Sequence, residues 1–281
     1  MLLFGATSAV GTRLLPLLAA RCARITASSR AKQAADGAQH WLRESLPDAA
    51  APDAGTTHVL SLGPLDLFVA WLTRQVPASG LRQVIAFGST SAATKLDSPA
   101  ADERALARRL LDAEATLARE CARLGSAWTL LRPTLIYGGA DDLVARIGRY
   151  SARWHVHPRP LGAFGRALRQ PVHAGDLAVA CIAATDNPAA FNRSFDLGGG
   201  EMLPLAQLIA RSARAGGNRS LAIPAPLSGL LRVATALRRL PPSAALSPAS
   251  LRRMAQDQVF DLGPARAALG FEPRGFEPGS P

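Results

Sequence analysis

Apolar residues fall in two kinds of pattern along this chain. Short unbroken runs bounded by turn residues, "MLLFG" (1–5), "RITAS" (24–28), "HVLSLG" (58–63), "RQVIAFGS" (82–89) and "AWTLLRP" (127–133), predict buried strands. Between them lie segments with helical spacing, "GTRLLPLLAARC" (11–22) and "LDLFVAWLTRQV" (65–76). The clearest helix is predicted over 101–125, with Asp102 and Glu103 at its start, Gly125 at its end, and Leu106, Leu110, Leu117 and Cys121 along one side. "WLRESLPD" (41–48) reads as a third strand and its turn, and "LPDAAAPDAG" (46–55) as a surface loop. Strand–helix alternation of this kind predicts an α/β fold, a doubly wound parallel sheet covered by helices on both faces.

The alternation weakens after Tyr150, where Pro158, Pro160, Gly162 and Gly165 crowd a loop, and "LPPSAALSPAS" (240–250) reads as a second loop or linker. We therefore expect a dinucleotide-binding domain over 1–150, joined by 171–198, and a smaller substrate or cap region over 151–170 and 199–281. In that region "LPLAQLIARSA" (203–213) reads as a helix opened by Pro204 without a capping side chain.

The first strand leads directly into small residues. A strand ending at Gly5, a turn through Thr7, Ser8, Ala9 and Val10, then Gly11 and a helix would present free backbone N–H groups and a positive helix end to a phosphate. The spacing is G-x-x-S-x-x-G, with Ser8 where the dinucleotide pattern has its middle glycine. A turn made of small residues for packing alone has the same spelling.

With 281 residues, 48% hydrophobic and 19% charged, the chain is long enough for a sizeable core. No apolar stretch reaches the roughly 18 residues of a membrane span. The apolar start lacks a basic segment and is broken by Gly5, Gly11 and Pro16, so a cytoplasmic protein is expected. Cys22, Cys121 and Cys181 are three, widely spaced, and read as reduced thiols. His155 and His157 alternate as on one face of a strand, but lack partners of metal-ligand type nearby, so no metal is expected. The net charge of +11 is almost wholly arginine, since lysine occurs only at Lys32 and Lys95. Such a balance attracts nucleotides, phosphates, nucleic acid or acidic lipid. The arginines are scattered without interleaved aromatics, which favours a small phosphorylated ligand and no nucleic acid.

Five segments, "FGATSAVG" (4–11), "VIAFGSTSA" (84–92), "WTLLRPTLIYG" (128–138), "RQPVHAGDLAVACIAA" (169–184) and "DLGPARAALGFEPRGF" (261–276), together resemble the extended and atypical short-chain dehydrogenase/reductase family, including its NAD-dependent epimerase/dehydratase branch. The resemblance implies a Rossmann fold and a bound dinucleotide. It carries to Gly5 and Gly11 as cofactor glycines, to Leu62, Gly63 and Pro64 beside the cofactor, and to Pro133 near the nicotinamide. It also carries to Ser45 at the adenine and to Ser89 or Thr90 as the active-site hydroxyl. Arg169 corresponds to a substrate-phosphate arginine, while Asp176 reads as a helix-start carboxylate. After the second strand, where NAD-preferring proteins carry an acid, stand Ser29 and Arg30, which suit a 2′-phosphate. NADP(H) is therefore the expected cofactor, with NAD(H) the alternative.

The family's proton relay is a Tyr-x-x-x-Lys pair, in which the lysine lowers the tyrosine pKa. Here the two tyrosines are followed four residues later by Asp141 and Trp154. Aligning Glu114 with the family's helix glutamate puts Leu106 and Leu110 at the pair's positions. Three readings remain, the first a cofactor-binding protein with a structural, regulatory or slow redox role and the second an NADPH-dependent reductase or epimerase/dehydratase using Ser89, Thr90 or Tyr137. A scaffold without cofactor is the third.

Overall fold

The computed structural model describes residues 1–31, 33, 39–77, 80–98, 100–217, 219–226 and 255–279. Lys32 and the loop expected over 240–250 lie outside them. Strands β1 (Leu2–Phe4), β2 (Ile25–Ser29), β3 (Gln39–Arg43), β4 (His58–Ser61), β5 (Gln83–Phe87) and β6 (Ala127–Pro133) form the bulk of a seven-stranded sheet. The short strands β7 (Ile136–Tyr137), β8 (Val156–Pro160), β9 (Leu168–Arg169) and β10 (Val172–His173) follow, then β11 (Arg193–Leu197), β12 (Leu203–Pro204) and β13 (Leu221–Ala225). The large sheet runs β11-β6-β5-β4-β1-β2-β3, and its neighbours all pair in parallel.

The helices are α1 (Gly11–Ala19), α2 (Leu65–Leu72), α3 (Ser91–Thr94), α4 (Ala101–Leu124), α5 (Leu143–Trp154), α6 (Gly162–Arg166), α7 (Ala174–Ala184), α8 (Leu205–Ala215) and α9 (Gly263–Leu269). Alternate strand residues feed two cores. Leu3, Leu60 and Ile85 pack with Leu14 and Leu18 of α1, Leu177 and Cys181 of α7, and Ala265 and Leu269 of α9. Leu2, Phe4, Val59 and Val84 pack on the other face with Phe68 and Trp71 of α2 and Leu117 and Cys121 of α4. Both faces are covered, which is why these strands read as unbroken apolar runs.

Several expectations shift in register. The third strand lies at 39–43, so Ser45 sits just beyond its end. On α4, Leu117 and Cys121 are buried, while Leu106 and Leu110 are only half-buried. His155 and His157 share no strand face: His155 ends α5 in a left-handed conformation (φ 56°), and His157 in β8 bonds the Ser220 hydroxyl at 2.8 Å. The edge strand β11 goes unannounced in the sequence, because only Phe195 and Leu197 of its five residues face the core.

α5 packs against α8 in a smaller lobe whose own core is Tyr137, Val144, Leu203, Leu208 and Phe276. α8 starts at Leu205 after Pro204, with no side-chain cap. The C-terminal segment returns from α9 as a strap across this lobe. Phe276 is fully buried against Tyr137, its ring 5.0 Å away, and its N–H donates to the Glu201 carboxylate at 3.0 Å. Arg274 donates from its backbone (3.0 Å) and its Nε (2.9 Å) to Asp176. Asp176 thus anchors the strap, while the capping contact at α7 comes from His173, whose Nδ1 accepts from the Gly175 N–H.

Because a large buried ring fixes the strap, Phe276→Ala should lower unfolding free energy by about 3–5 kcal/mol. Chemical denaturation measures the loss, and a change below about 1 kcal/mol would mean the strap adds little to the fold.

Candidate functional site

The chain leaves β1, builds β2 and β3 on one side, and then returns to build β4, β5, β6 and β11 on the other. A crevice therefore opens beyond the carboxyl ends of β1 and β4, where open α/β sheets hold ligands. A cavity of about 610 Å³ occupies it. It is lined by Gly5, Thr7 and Ser8 after β1, Ser29 and Arg30 after β2, Ser45 after β3, and Leu62, Gly63 and Pro64 after β4. Four separated stretches of sequence meet there. Phe4, Ser28, Glu44, Leu46 and Leu67, not among the residues assigned to the cofactor from the sequence, also line it. Glu44 and Leu46 flank Ser45, and their exposure to the cavity follows from where β3 ends.

The turn into α1 is held by its own atoms. Ser8 Oγ accepts from the Gly11 N–H at 3.0 Å, and the Ser8 carbonyl accepts from the Thr12 N–H at 2.9 Å. The Ala9 and Val10 N–H groups have no partner among the described residues, so two donors remain at the positive end of the helix. Gly5 has φ +78°, and a Cβ on it would stand 3.1 Å from Leu62 Cβ. A Cβ on Gly11 would lie 2.3 Å from the Gly5 carbonyl and 2.5 Å from that of Ala6. Gly11 is thus required by the closure of the turn on itself, rather than by the approach of a ligand.

At the rim, Arg30 is exposed. Ser29 is buried, and its hydroxyl accepts from the Ala31 N–H at 3.2 Å. Arg30, Arg43, Glu44, Ser45 and Asp48 surround an open depression of about 480 Å³ beside the cavity. Glu44 is the carboxylate closest to this site in sequence, and it accepts from the Ala50 N–H at 3.0 Å. A second depression, also about 480 Å³, runs from Thr7, Ser8, Ala9, Thr12 and Arg13 to Gly138–Asp142.

Other expected residues lie elsewhere. Tyr137 is 1% exposed, donates its hydroxyl proton to the Gly275 carbonyl at 3.0 Å, and accepts from the Glu277 N–H at 3.3 Å. Burial raises its pKa, which holds the phenol protonated. It faces a separate cavity of about 350 Å³ between α5, α8 and the strap. Arg169 is buried (7% exposed), with its guanidinium bound to the Leu168 carbonyl and to that of Gln256 ahead of α9, so these bonds hold it to main chain. Pro133 is buried in the ladder opposite Leu197 and does not line the large cavity. Ser89 and Thr90 stand at the carboxyl edge of β5, where Ser89 Oγ accepts from the Ser91 N–H at 3.2 Å.

At that edge Glu114 receives Arg132 through Nε at 2.9 Å and Nη2 at 2.5 Å, and Asp196 lies 3.7 Å from Arg132. The Glu114 contact raises the Arg132 pKa, and burial raises that of Asp196. Leu106 and Leu110 continue the Glu114 row at four-residue spacing, so an apolar wall stands beside this ion cluster. His173 Nε2 is buried without a partner among the described residues, and a Cβ on Gly138 would lie 2.4 Å from it.

No family model matches the chain, and no curated protein matches it. Solved structures do. MoeE5, in complex with UDP-glucose and NAD, is 17% identical with TM-score 0.70, over 98% of this chain and 93% of that one. UDP-glucose 4-epimerase from Thermotoga maritima is 15% identical with TM-score 0.65, over 97% and 93%. UDP-glucuronic acid 4-epimerase from Bacillus cereus, in complex with NAD, is 13% identical with TM-score 0.69, over 98% and 92%.

Two measurements test the site's internal chemistry. Ser8→Ala removes the hydroxyl that accepts from the Gly11 N–H in the turn before α1 and should cost about 0.5–2 kcal/mol of stability. The second concerns pH. Burial first, then Arg274 and Arg13, lowers the His173 pKa below 6.5, and burial and Arg214 lower that of His157. The unfolded chain then binds more protons than the native one below about pH 6.5, so stability should be full above that pH and fall as the solution is acidified. Denaturation between pH 7.5 and about 5 should give a shallower slope for His173→Gln than for the parent. The site so described sits on a fold that this chain shares, nearly end to end, with two UDP-sugar 4-epimerases, one of them solved with NAD.

Proposed function

We propose that this protein binds a nicotinamide dinucleotide across the β1–β4 crevice, prefers NADP(H), and carries out little or none of the standard dehydrogenase, epimerase or dehydratase chemistry. The observation that carries the reading is the single cavity onto which Gly5, Thr7, Ser8, Ser29, Arg30, Ser45 and Leu62–Pro64 all converge.

The residues present fit the group. The unpaired Ala9 and Val10 N–H groups suit a pyrophosphate, which accepts from such donors at a helix start. Ser45 and Leu46 would border the adenine, and Gly63 and Pro64 leave room for its ribose. The exposed fork of Arg30, with Arg43 alongside, suits a 2′-phosphate; Ser29 and Arg30 rather than an acid follow β2, and of the carboxylates in the same depression Glu44 accepts from the Ala50 N–H and Asp48 pairs with Arg74. When bound, the cofactor would supply a hydride donor or acceptor.

Among the described residues, the positions of the family's proton relay carry no titratable group. Leu106 and Leu110 hold no proton, and the Tyr137 hydroxyl is committed to the Gly275 carbonyl. Loss of general acid–base catalysis of this type is worth roughly 10²–10⁴ in rate. A bound but slowly reacting cofactor points to a structural or regulatory role. Burial pushes the thiol pKa values of Cys121 and Cys181 up to about 12, which keeps both protonated and unreactive. UDP-sugars, named with the solved relatives, are the first substrates to test.

Titration calorimetry should give tighter binding for NADP(H) than for NAD(H), and Arg30→Ala should weaken NADP(H) alone by about 1–3 kcal/mol. Equal affinities in the parent would refute the preference. A screen of nicotinamide absorbance against carbonyls, quinones and UDP-sugars should find turnover well below about 1 s⁻¹. Faster turnover, lost in Ser89→Ala, would restore the enzyme reading.

A further inference from the structure

The outer face of α5 takes no part in the crevice. Its inner face, Val144, Gly148 and Ser151, is buried toward α8, where a Cβ on Gly148 would meet the Ser212 carbonyl at 3.2 Å. On the outside stand Leu143 (46% exposed), Tyr150 (50%) and Trp154 (53%). At 3.6 residues per turn these three fall within about 40° of one line along the helix. Arg146, Arg149 and Arg153 form a parallel basic row, and the helix contains no Asp or Glu. Arg149 is tied to Asp141 at 2.8 Å, Arg153 lies over the Trp154 ring at 5.5 Å, and Arg146 forms no ion pair among the described residues. One residue past Trp154, the His155 carbonyl accepts from the Leu221 N–H at 2.8 Å, so the exposed strand β13, with Leu221 71% and Ile223 46% exposed, begins beside the end of this face.

We propose that this face docks the protein reversibly on an anionic lipid surface, with Leu143, Tyr150 and Trp154 entering the headgroup layer and Arg146 and Arg153 meeting lipid phosphates. A helix with aromatic and aliphatic residues on one side and arginines beside them lies in the plane of a membrane interface. Rings with a polar edge, as in Tyr and Trp, favour that layer, and the net charge of +11 adds long-range attraction to an anionic leaflet. A nucleic acid fits less well, because the apolar line includes aliphatic Leu143 on a convex helix, whereas unpaired bases need aromatic platforms in a groove. The apolar line is short, so binding rests on charge as well and weakens with salt.

Sedimentation of the full chain with vesicles tests this. Vesicles of phosphatidylcholine with phosphatidylglycerol should bind it at least about tenfold more tightly than phosphatidylcholine alone, and raising salt from about 0.1 M to 1 M should release it. Trp154 fluorescence should shift to the blue on the anionic vesicles. Trp154→Ala, and separately the pair Arg146→Glu and Arg153→Glu, should each cut binding about tenfold or more, with melting temperature and NADP(H) affinity unchanged. Equal binding to both vesicle types, absence of binding, or binding that survives both variants would overturn the proposal. So would equally tight capture of a single-stranded oligonucleotide, or a concentration-dependent dimer that Trp154→Ala abolishes.

Discussion

The approach of α1 to the end of β1 is the constraint on which the rest of the molecule turns. With Gly11 lacking a Cβ, the first turn of the helix closes to within contact of the Gly5 and Ala6 carbonyls, and Ser8 locks the closure through the Gly11 N–H. That closure sets the angle at which α1 lies on the sheet and lets Leu14 and Leu18 reach the core shared with α7 and α9. It also leaves the Ala9 and Val10 N–H groups, at the start of α1, without a hydrogen-bond partner among the described residues. Packing and ligand geometry thus share one turn, and a side chain at position 11 would disturb both.

On the opposite half of the sheet, the carboxyl edge is organised around ions and apolar side chains. Arg132 bridges Glu114 and Asp196 between α4, β6 and β11, a paired and partly buried cluster that fixes the helix against the strands. Removing one partner would leave the others poorly compensated, which is where such clusters matter most for stability. Leu106 and Leu110 lie on the same row of α4.

The smaller lobe is held from the far end of the chain. Arg274, Phe276 and the backbone around Gly275 tie α7, β7 and α8 together, and in doing so they consume Asp176, Tyr137 and Glu201. Polar residues that look available for chemistry in the linear sequence are here used to fasten a strap. Arg169 is spent in the same way on backbone carbonyls.

Period and punctuation in the sequence were enough for the α/β order, the five early strands, the long helix α4 and the glycine turn, because both sheet faces are buried and local patterns then report burial directly. The absence of a Tyr-x-x-x-Lys pair was likewise complete in the sequence. Strand β11 was not legible, since an edge strand with two core-facing residues carries too little pattern, and the start of β3 was misjudged because its half-buried residues alternate weakly. The surroundings of Tyr137, Arg169 and Asp176 could be decided only by tertiary structure, because each is bound by a residue about 90 to 140 positions further along, in the strap for Tyr137 and Asp176 and ahead of α9 for Arg169. The convergence of Ser29, Arg30, Ser45 and Gly63 on one cavity was decided there too, by the order in which parallel strands add on either side of β1. Local sequence records which residues are buried; it holds no record of which distant segment buries them.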